Sequence, residues 1–494
     1  MQKTKVSNNI DNNIACFGEI FSECSDIKMQ EMCIGSHGNI KCHLSYIEVA
    51  ISNTTLRDTA IGKALAFLEK QNVVEMKKQL DGNGMGIADI TWYEFVEDAA
   101  LGLLTGDAIL FVDGYDKAIK IADEGYPGMG IQEPDSEKVV RGSKEGFADS
   151  VKINTSLLRK RIRSTKLCVK EKKLGVRSHT LVNLVYMKDL VRRPLLEEIE
   201  RRLEQYEIDG VLDSGIIEQL SEEKWYSPFP QFATTQRPDK AATAILEGRI
   251  VLFSDNSPTA LILPTDFNSF LQTSDDYYNR FEIASFARIL RYIAVFFAMT
   301  LPGLYIAVTN FHTQILPTTL LLAFQEARFG VAFPAALEVI LMEIAFEMLR
   351  EAGVRLPGTM GNTIGIVGGL IIGQAAVDAN LVSPIIVIVV AFTALCSFAI
   401  PSEEFAFAFR LLKFFFIALC AWEGYFGFLI GIMMVLIHLS KLKSFGLNYL
   451  TPFVGPEQYK GDGKKDAIVR FPLRLLKKRP IYAREEEKIK LKKR

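Results

Sequence analysis

The sequence lacks the short motifs that mark the common enzyme classes. It contains no Walker lysine loop, no Gly-x-Ser-x-Gly elbow, no His-Glu-x-x-His and no Cys-x-x-Cys pair. Two glycine-rich segments, at 82–86 and 461–464, do not follow a strand as a nucleotide-binding loop would. We therefore predict that the chain is not an enzyme and binds no cofactor.

Histidine and cysteine are also scarce, with five and seven residues among 494. The spacings of the four early cysteines fit no zinc pattern, and His37 and His43 do not complete one, so no metal site is expected. The early cysteines are Cys16, Cys24, Cys33 and Cys42. The odd count, with two more cysteines inside an apolar region (Cys396 and Cys420), indicates reduced thiols.

The start of the chain has no long apolar run. We therefore expect no cleavable signal peptide, and the roughly 285 residues before the apolar region would remain in the cytosol. Residues 1–38 are rich in Asn and Ser and show no hydrophobic periodicity, which predicts a disordered tail.

The chain as a whole has almost no net charge, but its C-terminal segment is strongly basic. The formal net charge is -1, whereas residues 441–494 hold 16 Lys and Arg against 6 Asp and Glu. Mean hydropathy is +0.16 although 23% of the residues are charged, so charged and apolar residues occupy different stretches. A soluble part, a membrane part and a basic cytoplasmic tail at 442–494 are predicted.

A weak internal repeat, at an offset of about 140 residues, organises the soluble part. The repeated units are a strand followed by a helix, and a helix that ends at glycine before a β-rich run. The strand followed by a helix occurs at 44–70 and again at 184–205. The helix that ends at glycine occurs at 103–113 and again at 245–255. We predict an α+β cytosolic part of two similar α/β subdomains, at 39–140 and 141–285.

A basic helix is predicted between these subdomains, at 154–164, with four Lys and Arg between Arg159 and Arg163. A nucleic-acid helix is one interpretation. The segment lacks interleaved aromatic residues and a basic domain around it, so a solvated face or a subunit contact is favoured. No nucleic-acid partner is expected.

Residues 286–441 predict an all-α, multi-pass membrane domain of four to six segments. The predicted apolar segments are 292–309, 315–324, 335–355, 364–377, 384–400 and 409–439. The last is longer than one bilayer crossing and is expected to bend near Gly424 and Gly427. Because Lys and Arg cluster before the first segment and after the last, both chain ends are expected in the cytoplasm.

A stripe of glycines marks one of these segments. Such a small-xxx-small pattern removes side-chain bulk from one helix face, which predicts close packing against another helix. The stripe consists of Gly361, Gly365, Gly369 and Gly373.

The segment at 335–355 carries a charged stripe in an apolar helix. Glu343, Glu347, Arg350 and Glu351 share one face at helical spacing. Ionisable groups at membrane depth usually line a water-filled path or pair with each other. One interpretation is a cation path; the other is an interfacial helix with Glu347 and Arg350 paired. The candidate ion path comprises Glu338, Glu343, Glu347 and Gln374.

Several motifs together resemble the A subunits of the GerA spore germination receptor family. They include NTSLLRKRIR at 154–163, SPFPQ at 227–231, LREAGVRLP at 349–357 and GIVGGLIIGQAA at 365–376, with further matches at 139–147, 237–239 and 439–446. The resemblance implies a multi-pass protein of the spore inner membrane, working with a transporter-like B subunit and a lipoprotein C subunit.

The resemblance also implies a function, that of a homo-oligomer that opens as a nutrient-gated cation channel and triggers germination. Two alternatives stay open at this point. One is a non-conducting membrane scaffold for other receptor subunits; the other is an ion-release channel of the related stage V sporulation AF type. The family has no catalytic residues to carry over.

Overall fold

The computed structural model describes residues 3–34, 40–47, 90–121, 133–134, 137–139, 141–355, 359–454 and 462–491. The helix predicted after residue 56, the glycine segment at 82–86 and His37 lie outside these residues, as does Gly461.

In the residues that the structure describes, the first unit of the N-terminal region is an antiparallel sheet with two helices. Its elements are α1 (Ile10–Ile20), β1 (Ile27–Ile34), β2 (Ile40–Ile47), β3 (Ile90–Tyr93), α2 (Val96–Leu104), β4 (Ala108–Val112) and β5 (Ala118–Ile121). The strand order is β1-β2-β4-β5-β3. Both helices pack on one face of the sheet, where Phe17 and Leu103 join Phe111 in a buried cluster.

The prediction that residues 1–38 are disordered is wrong for the residues described there. Residues 3–34 contain α1 and β1, and the side chains of Phe17, Phe21 and Ile27 are buried. The apolar residues of this segment are spaced among polar ones. They are sufficient for burial because β2 and α2 supply the surfaces on which they pack.

The second half repeats this plan. Its elements are α3 (Val151–Arg161), β6 (Leu167–Leu174), β7 (Thr180–Met187), α4 (Arg193–Leu203), α5 (Ser214–Ser221), β8 (Ala233–Thr235), α6 (Pro238–Leu246), β9 (Ile250–Ser254) and β10 (Ala260–Leu263). The strand order is β6-β7-β9-β10-β8, which is the order of the first sheet. Two similar α/β units are therefore confirmed.

The duplication extends to individual hydrogen bonds. Asn13 accepts from and donates to the backbone of Ser7, and Asn154 does the same with Ala148. In the first unit Asp113 accepts from the amide at the start of α1, and in the second unit Asp255 accepts from the amide at the start of α3. These equivalent side-chain hydrogen bonds fix the first turn of the corresponding helix in each unit.

Residues 275–441 are mostly helical where the structure describes them. The helices are α7 (Asp275–Tyr278), α8 (Phe281–Asn310), α9 (Thr318–Ala327), α10 (Ala335–Arg355), α11 (Thr359–Asp378), α12 (Pro384–Phe398) and α13 (Glu403–Lys441). Each predicted apolar segment corresponds to one of these helices. The helix α8 begins eleven residues before the predicted segment, because the charged residues of its first three turns hide it from a search for apolar runs.

The helix α13 folds back on itself. Gly424 has φ 57° and ψ -132°, which interrupts the helix. A Cβ on Gly431 would lie 2.8 Å from the Phe416 ring, and one on Gly427 would collide with the Leu419 carbonyl oxygen. In a straight helix, which rises about 1.5 Å per residue, the first pair would be about 22 Å apart and the second about 12 Å apart. The expected bend is confirmed, and it is a hairpin.

The helices form an antiparallel bundle with a near end, beside the second sheet, and a far end. The hairpin tip at Gly424 meets Phe311 at the far end. Ala332 donates to the Asn380 carbonyl there, which places the start of α10 beside the end of α11. At the near end Arg350 reaches Ser397 of α12. Six of the helical segments that the structure describes thus run between the two ends: α8, α10, α11, α12 and both arms of α13.

Two of the described helices, α8 and α13, are long and apolar enough to cross a membrane. About half of each apolar stretch is buried inside the chain. The shorter α12 is also apolar. The expectation of four to six crossings stays a prediction.

The basic C-terminal segment packs on the second unit. A Cβ on Gly248 would lie 2.7 Å from Cα of Ala483, so these backbones are in close contact. Tyr482 is buried, and the guanidinium carbon of Arg249 lies 3.8 Å from the centre of the Tyr482 ring. The backbone of Arg484 donates to the carbonyl of Leu190. Residues 462–491 therefore form part of the folded surface of the second unit.

Candidate functional site

The helix α10 carries three of the four predicted ion-path residues. It follows Pro334 and contains Ala, Leu, Met and Glu, which favour helix. Near its start, Ala335 and Val339 pack against Tyr305 and Ile306 of α8. It also contacts α11, α12 and α13.

Glu343 forms a buried ion pair with Lys413 of α13. The distance between Glu343 Oε2 and Lys413 Nζ is 2.5 Å. The side chains are 1% and 4% exposed, so the pair is nearly sealed from solvent. The other carboxylate oxygen, Oε1, is buried without a hydrogen-bond partner in the part of the chain that the structure describes. The pair joins the two helices and leaves one oxygen available.

Glu347 lies one turn further along α10 and faces two arginines. Arg410 Nη1 donates to Glu347 Oε1 at 3.0 Å, whereas Arg350 is 3.9 Å from the same oxygen. The expected pairing with Arg350 is therefore the longer contact. Arg410 also stacks over Phe407 at 3.7 Å. As with Glu343, the second oxygen of Glu347 is buried without a partner among the described residues.

Glu338 is held at the far end of the bundle. Its Oε1 lies 3.3 Å from Arg328 Nη2, and its Oε2 accepts from the backbone amide of Ser383 at 2.9 Å. This carboxylate is fully buried. It ties the start of α10 to the segment that precedes α12.

Gln374, the fourth predicted residue, does not join this row. It is exposed on α11 and donates to Asp378 at 3.0 Å. The structure thus brings Glu338, Glu343 and Glu347 together along one helix and leaves Gln374 apart.

The sequence interpretation did not include the cations that meet these carboxylates. They are Arg328, Arg410 and Lys413. A signal for two of them was present, because Arg410 and Lys413 stand three residues apart inside an apolar segment. Residues three apart lie on one face of a helix, as do Glu343 and Glu347, which are four apart, so the two pairs can face each other across two helices.

A family model described as "Bacillus/Clostridium GerA spore germination protein" matches residues 15–482. The chain belongs to the GerA family. Spore germination protein KA of Bacillus subtilis (strain 168) is 37% identical over 98% of this chain and 88% of its own length. Spore germination protein A1 of the same organism is 34% identical over 96% of each chain. Spore germination protein GerLA of Bacillus cereus is 35% identical over 86% of each chain.

Among solved structures, this GerA-family chain is similar to the N-terminal domain of the A subunit of the Bacillus megaterium spore germinant receptor GerK3. The identity is 28%, the TM-score is 0.41, and the match covers 54% of this chain and 99% of that chain.

The glycine stripe of this GerA protein makes less contact within the chain than predicted. A Cβ on Gly369 would meet nothing within 4 Å, and one on Gly373 would make ordinary contact with Val387 at 3.5 Å. The close approach on α11 is made by Gly368, where a Cβ would lie 2.9 Å from Leu349. The side-chain positions of Gly361 and Gly365 lie outside the described residues.

A second charged cluster connects the bundle of the GerA chain with its soluble part. Asp276 accepts from Arg288 and Arg291 of α8, each at 2.8 Å. Arg288 also reaches Asp466 of the C-terminal segment at 2.7 Å. Burial would raise the pKa of Asp276, but its bonds to Arg291 and Arg288 together lower it. The base of α8 is therefore fixed to both flanking segments.

The basic helix α3 has a different role from either interpretation of its sequence. Arg159 is fully buried and binds Asp26 through Nε at 2.8 Å and Nη2 at 2.9 Å. Arg161 and Lys160 pair with Glu145. The charges of α3 are therefore used within the chain, and Arg159 joins the second unit to the first.

The structure describes no group of three or more His, Cys, Asp or Glu that could hold a metal ion, within the ranges given above. All seven cysteines are free thiols.

Proposed function

We propose that this chain is the A subunit of a nutrient germinant receptor of bacterial endospores, and that it oligomerises in the membrane into a nutrient-gated cation channel that triggers germination. The observation that carries the proposal is the row of buried carboxylates on α10, inside an otherwise apolar helical bundle, in a member of the GerA family. Charged groups at membrane depth are rare and often mark an ion path.

The proposed membrane arrangement has six crossings, one for each helical segment that runs between the near and far ends. The near end is cytoplasmic in this arrangement, because Arg280 precedes α8, and Lys441 and Lys443 close α13. Both chain ends then lie on the cytoplasmic side of the spore inner membrane, together with the two α/β units.

The proposed ion path runs beside α10. Glu343 and Glu347 each have one buried oxygen without a partner among the described residues, and carboxylate oxygens suit monovalent cations. Lys413 and Arg410 neutralise both carboxylates here, so we assign this arrangement to a closed path. Opening would move α13 away from α10 and let water and cations replace the two basic side chains.

Oligomer formation is assigned to α11. The space beside Gly369 is open within the chain and Gln374 is exposed, so both are available to a neighbouring subunit. A transporter-like B subunit that senses the nutrient and a lipoprotein C subunit are the proposed partners.

The test is potassium flux from liposomes that contain the purified chain, with oligomer size measured in the same preparation. We expect Glu347→Ala to change flux or ion selectivity without changing oligomer size. Glu351→Ala is the matched control, because Glu351 is exposed on the same helix and pairs only with Arg355 among the ion pairs described. Equal flux from all three proteins would contradict the assigned path.

A second candidate function is a non-conducting scaffold for other receptor subunits. The pairing of Glu338, Glu343 and Glu347 with cations favours it, since paired charges can serve to fix helices in position. A well-assembled oligomer without flux, alone and with B and C subunits present, would select this function. Gly369→Leu tests assembly in either case and is expected to reduce oligomer size.

A further inference from the structure

The loop between α5 and β8 holds two aromatic side chains out of the protein. Trp225 is 82% exposed and Tyr226 is 62% exposed. Their rings are in contact, with centroids 5.9 Å apart. A tryptophan side chain offers some 150–250 Å² of largely apolar surface, so its exposure to water is unfavourable unless something covers it.

This loop is fixed by hydrogen bonds. Gln231 Oε1 accepts from the amide of Glu223 at 3.0 Å, and the amide of Gln231 donates to Glu222 at 3.0 Å. Lys224 Nζ donates to the Lys441 carbonyl at the end of α13 at 3.0 Å. The exposed position of Trp225 is therefore built into the fold.

The two aromatic residues lie beside the last turn of α13. Ser227 shares a hydrogen bond of 2.8 Å with His438, and the Tyr226 ring lies 6.5 Å from the His438 ring. The adjacent turns of α13 expose Met433, Leu436 and Ile437 by 63%, 56% and 42%. The aromatic pair therefore continues an exposed apolar surface, close to the exposed Lys441 and Lys443 at the end of α13.

We propose that Trp225 and Tyr226 form an anchor that inserts into the lipid headgroup region on the near side of the bilayer. The inference rests on the proposed membrane arrangement. Tryptophan and tyrosine prefer this region because one part of the ring is apolar and the other hydrogen-bonds to water or headgroups. The anchor would hold the second α/β unit against the membrane at a position separate from the helix connections.

The three tryptophans of the chain provide the test. Trp92 belongs to the first sheet and Trp225 to the proposed anchor. Trp422 lies beside the hairpin tip of α13, at the far end of the bundle, and is 76% exposed. Three full-length variants, each keeping one tryptophan and carrying Trp→Phe at the other two, are reconstituted into phosphatidylcholine and phosphatidylglycerol vesicles. Emission is compared in ordinary lipid, in lipid brominated high on the acyl chains, and with aqueous iodide.

We expect brominated lipid to reduce the emission of Trp225 and Trp422 and to leave that of Trp92 unchanged, with Trp225 shielded from iodide. If Trp225 is quenched by iodide and not by lipid while Trp422 is quenched by lipid, the anchor is wrong and the membrane arrangement stands. If Trp225 is shielded from both quenchers, a protein subunit covers it and the anchor is wrong. If lipid quenches neither Trp225 nor Trp422, the membrane arrangement fails together with the anchor.

Discussion

Lys413 Nζ lies 2.5 Å from Glu343 Oε2, and this contact joins α10 to α13 through two residues that are 70 positions apart in the chain. Both side chains are buried. Removing two charges from water costs several kcal/mol for each, and their attraction offsets that cost only while both are present. The pair therefore stabilises one relative position of α10 and α13.

Lys413→Met is expected to destabilise the chain by about 3 kcal/mol, because it leaves the Glu343 carboxylate buried without a cation. The double variant Lys413→Met/Glu343→Gln should recover most of the loss, since no uncompensated charge remains. Unfolding in detergent by denaturant measures both. Arg355→Met, at an exposed pair, is the control. A double variant as unstable as Lys413→Met would contradict the interpretation.

Arg159→Gln is expected to weaken the contact between the two α/β units. The substitution removes two hydrogen bonds to Asp26 from a buried site, at a cost of about 3 kcal/mol. Hydrogen exchange should rise first in residues 23–26, which lie against β6 through the bond from Ser25 to Val169.

The control for this variant is Arg161→Gln, also on α3. Arg161 is partly exposed and pairs with Glu145 within the second unit, so we expect a loss below about 1 kcal/mol and no change in exchange at 23–26. Equal effects of the two variants would mean that Arg159 does not hold the units together.

Gly427→Ala should prevent the two arms of α13 from closing. The added Cβ would collide with the backbone oxygen of Leu419, which cannot move without shifting the helix. We expect a loss of about 3 kcal/mol or more, measured by thermal unfolding in detergent.

Gly18→Ala is the opposite control. Gly18 lies inside α1, and a Cβ there would meet nothing within 4 Å. Alanine favours helix over glycine by about 1 kcal/mol, so this variant should be slightly more stable than the native chain. A tolerated Gly427→Ala would show that the arms are not in close contact.

Stability is expected to fall as pH rises, because of Glu218. Burial, reinforced by Glu404, Glu222 and Asp213, raises the pKa of Glu218 to about 9 from 4.5. Between these values the folded chain binds a proton that the unfolded chain has released, so the free energy of unfolding decreases with increasing pH. Below pH 4.5 the carboxyl group is protonated in both the folded and the unfolded chain, so it no longer makes the free energy of unfolding depend on pH.

Glu218→Gln should flatten this dependence between about pH 5 and 9. The unfolding temperature of the full chain, followed across that range, is the measurement. Glu197→Gln, at an exposed position on α4, is the control. If Glu218→Gln retains the native slope, another group determines it.

The local patterns of the sequence were sufficient for most of the helices and strands. Six apolar segments correspond to α8 through α13, and Gly424 and Gly427 indicated the hairpin because glycine permits both the φ of 57° and the contact with Leu419. The repeat at 103–113 and 245–255 indicated the two equivalent sheets, since residues of a repeat form the same local structure.

Residues 3–34 and 462–491 were not placed by the sequence interpretation. Both segments are too polar and irregular to show a buried face by periodicity. They fold because other elements supply the contact surfaces: β2 and α2 for the first, and Gly248 with Arg249 for the second.

The placement of Glu338, Glu343 and Glu347 in one apolar helix of this GerA protein follows from the sequence alone, because spacing along a helix is a local property. Their contacts with Arg328, Lys413 and Arg410 follow from the three-dimensional fold. Those contacts depend on where α13 folds back and how it crosses α10. Ion pairs between elements distant in the chain are fixed by packing of the whole bundle, and no single segment encodes them.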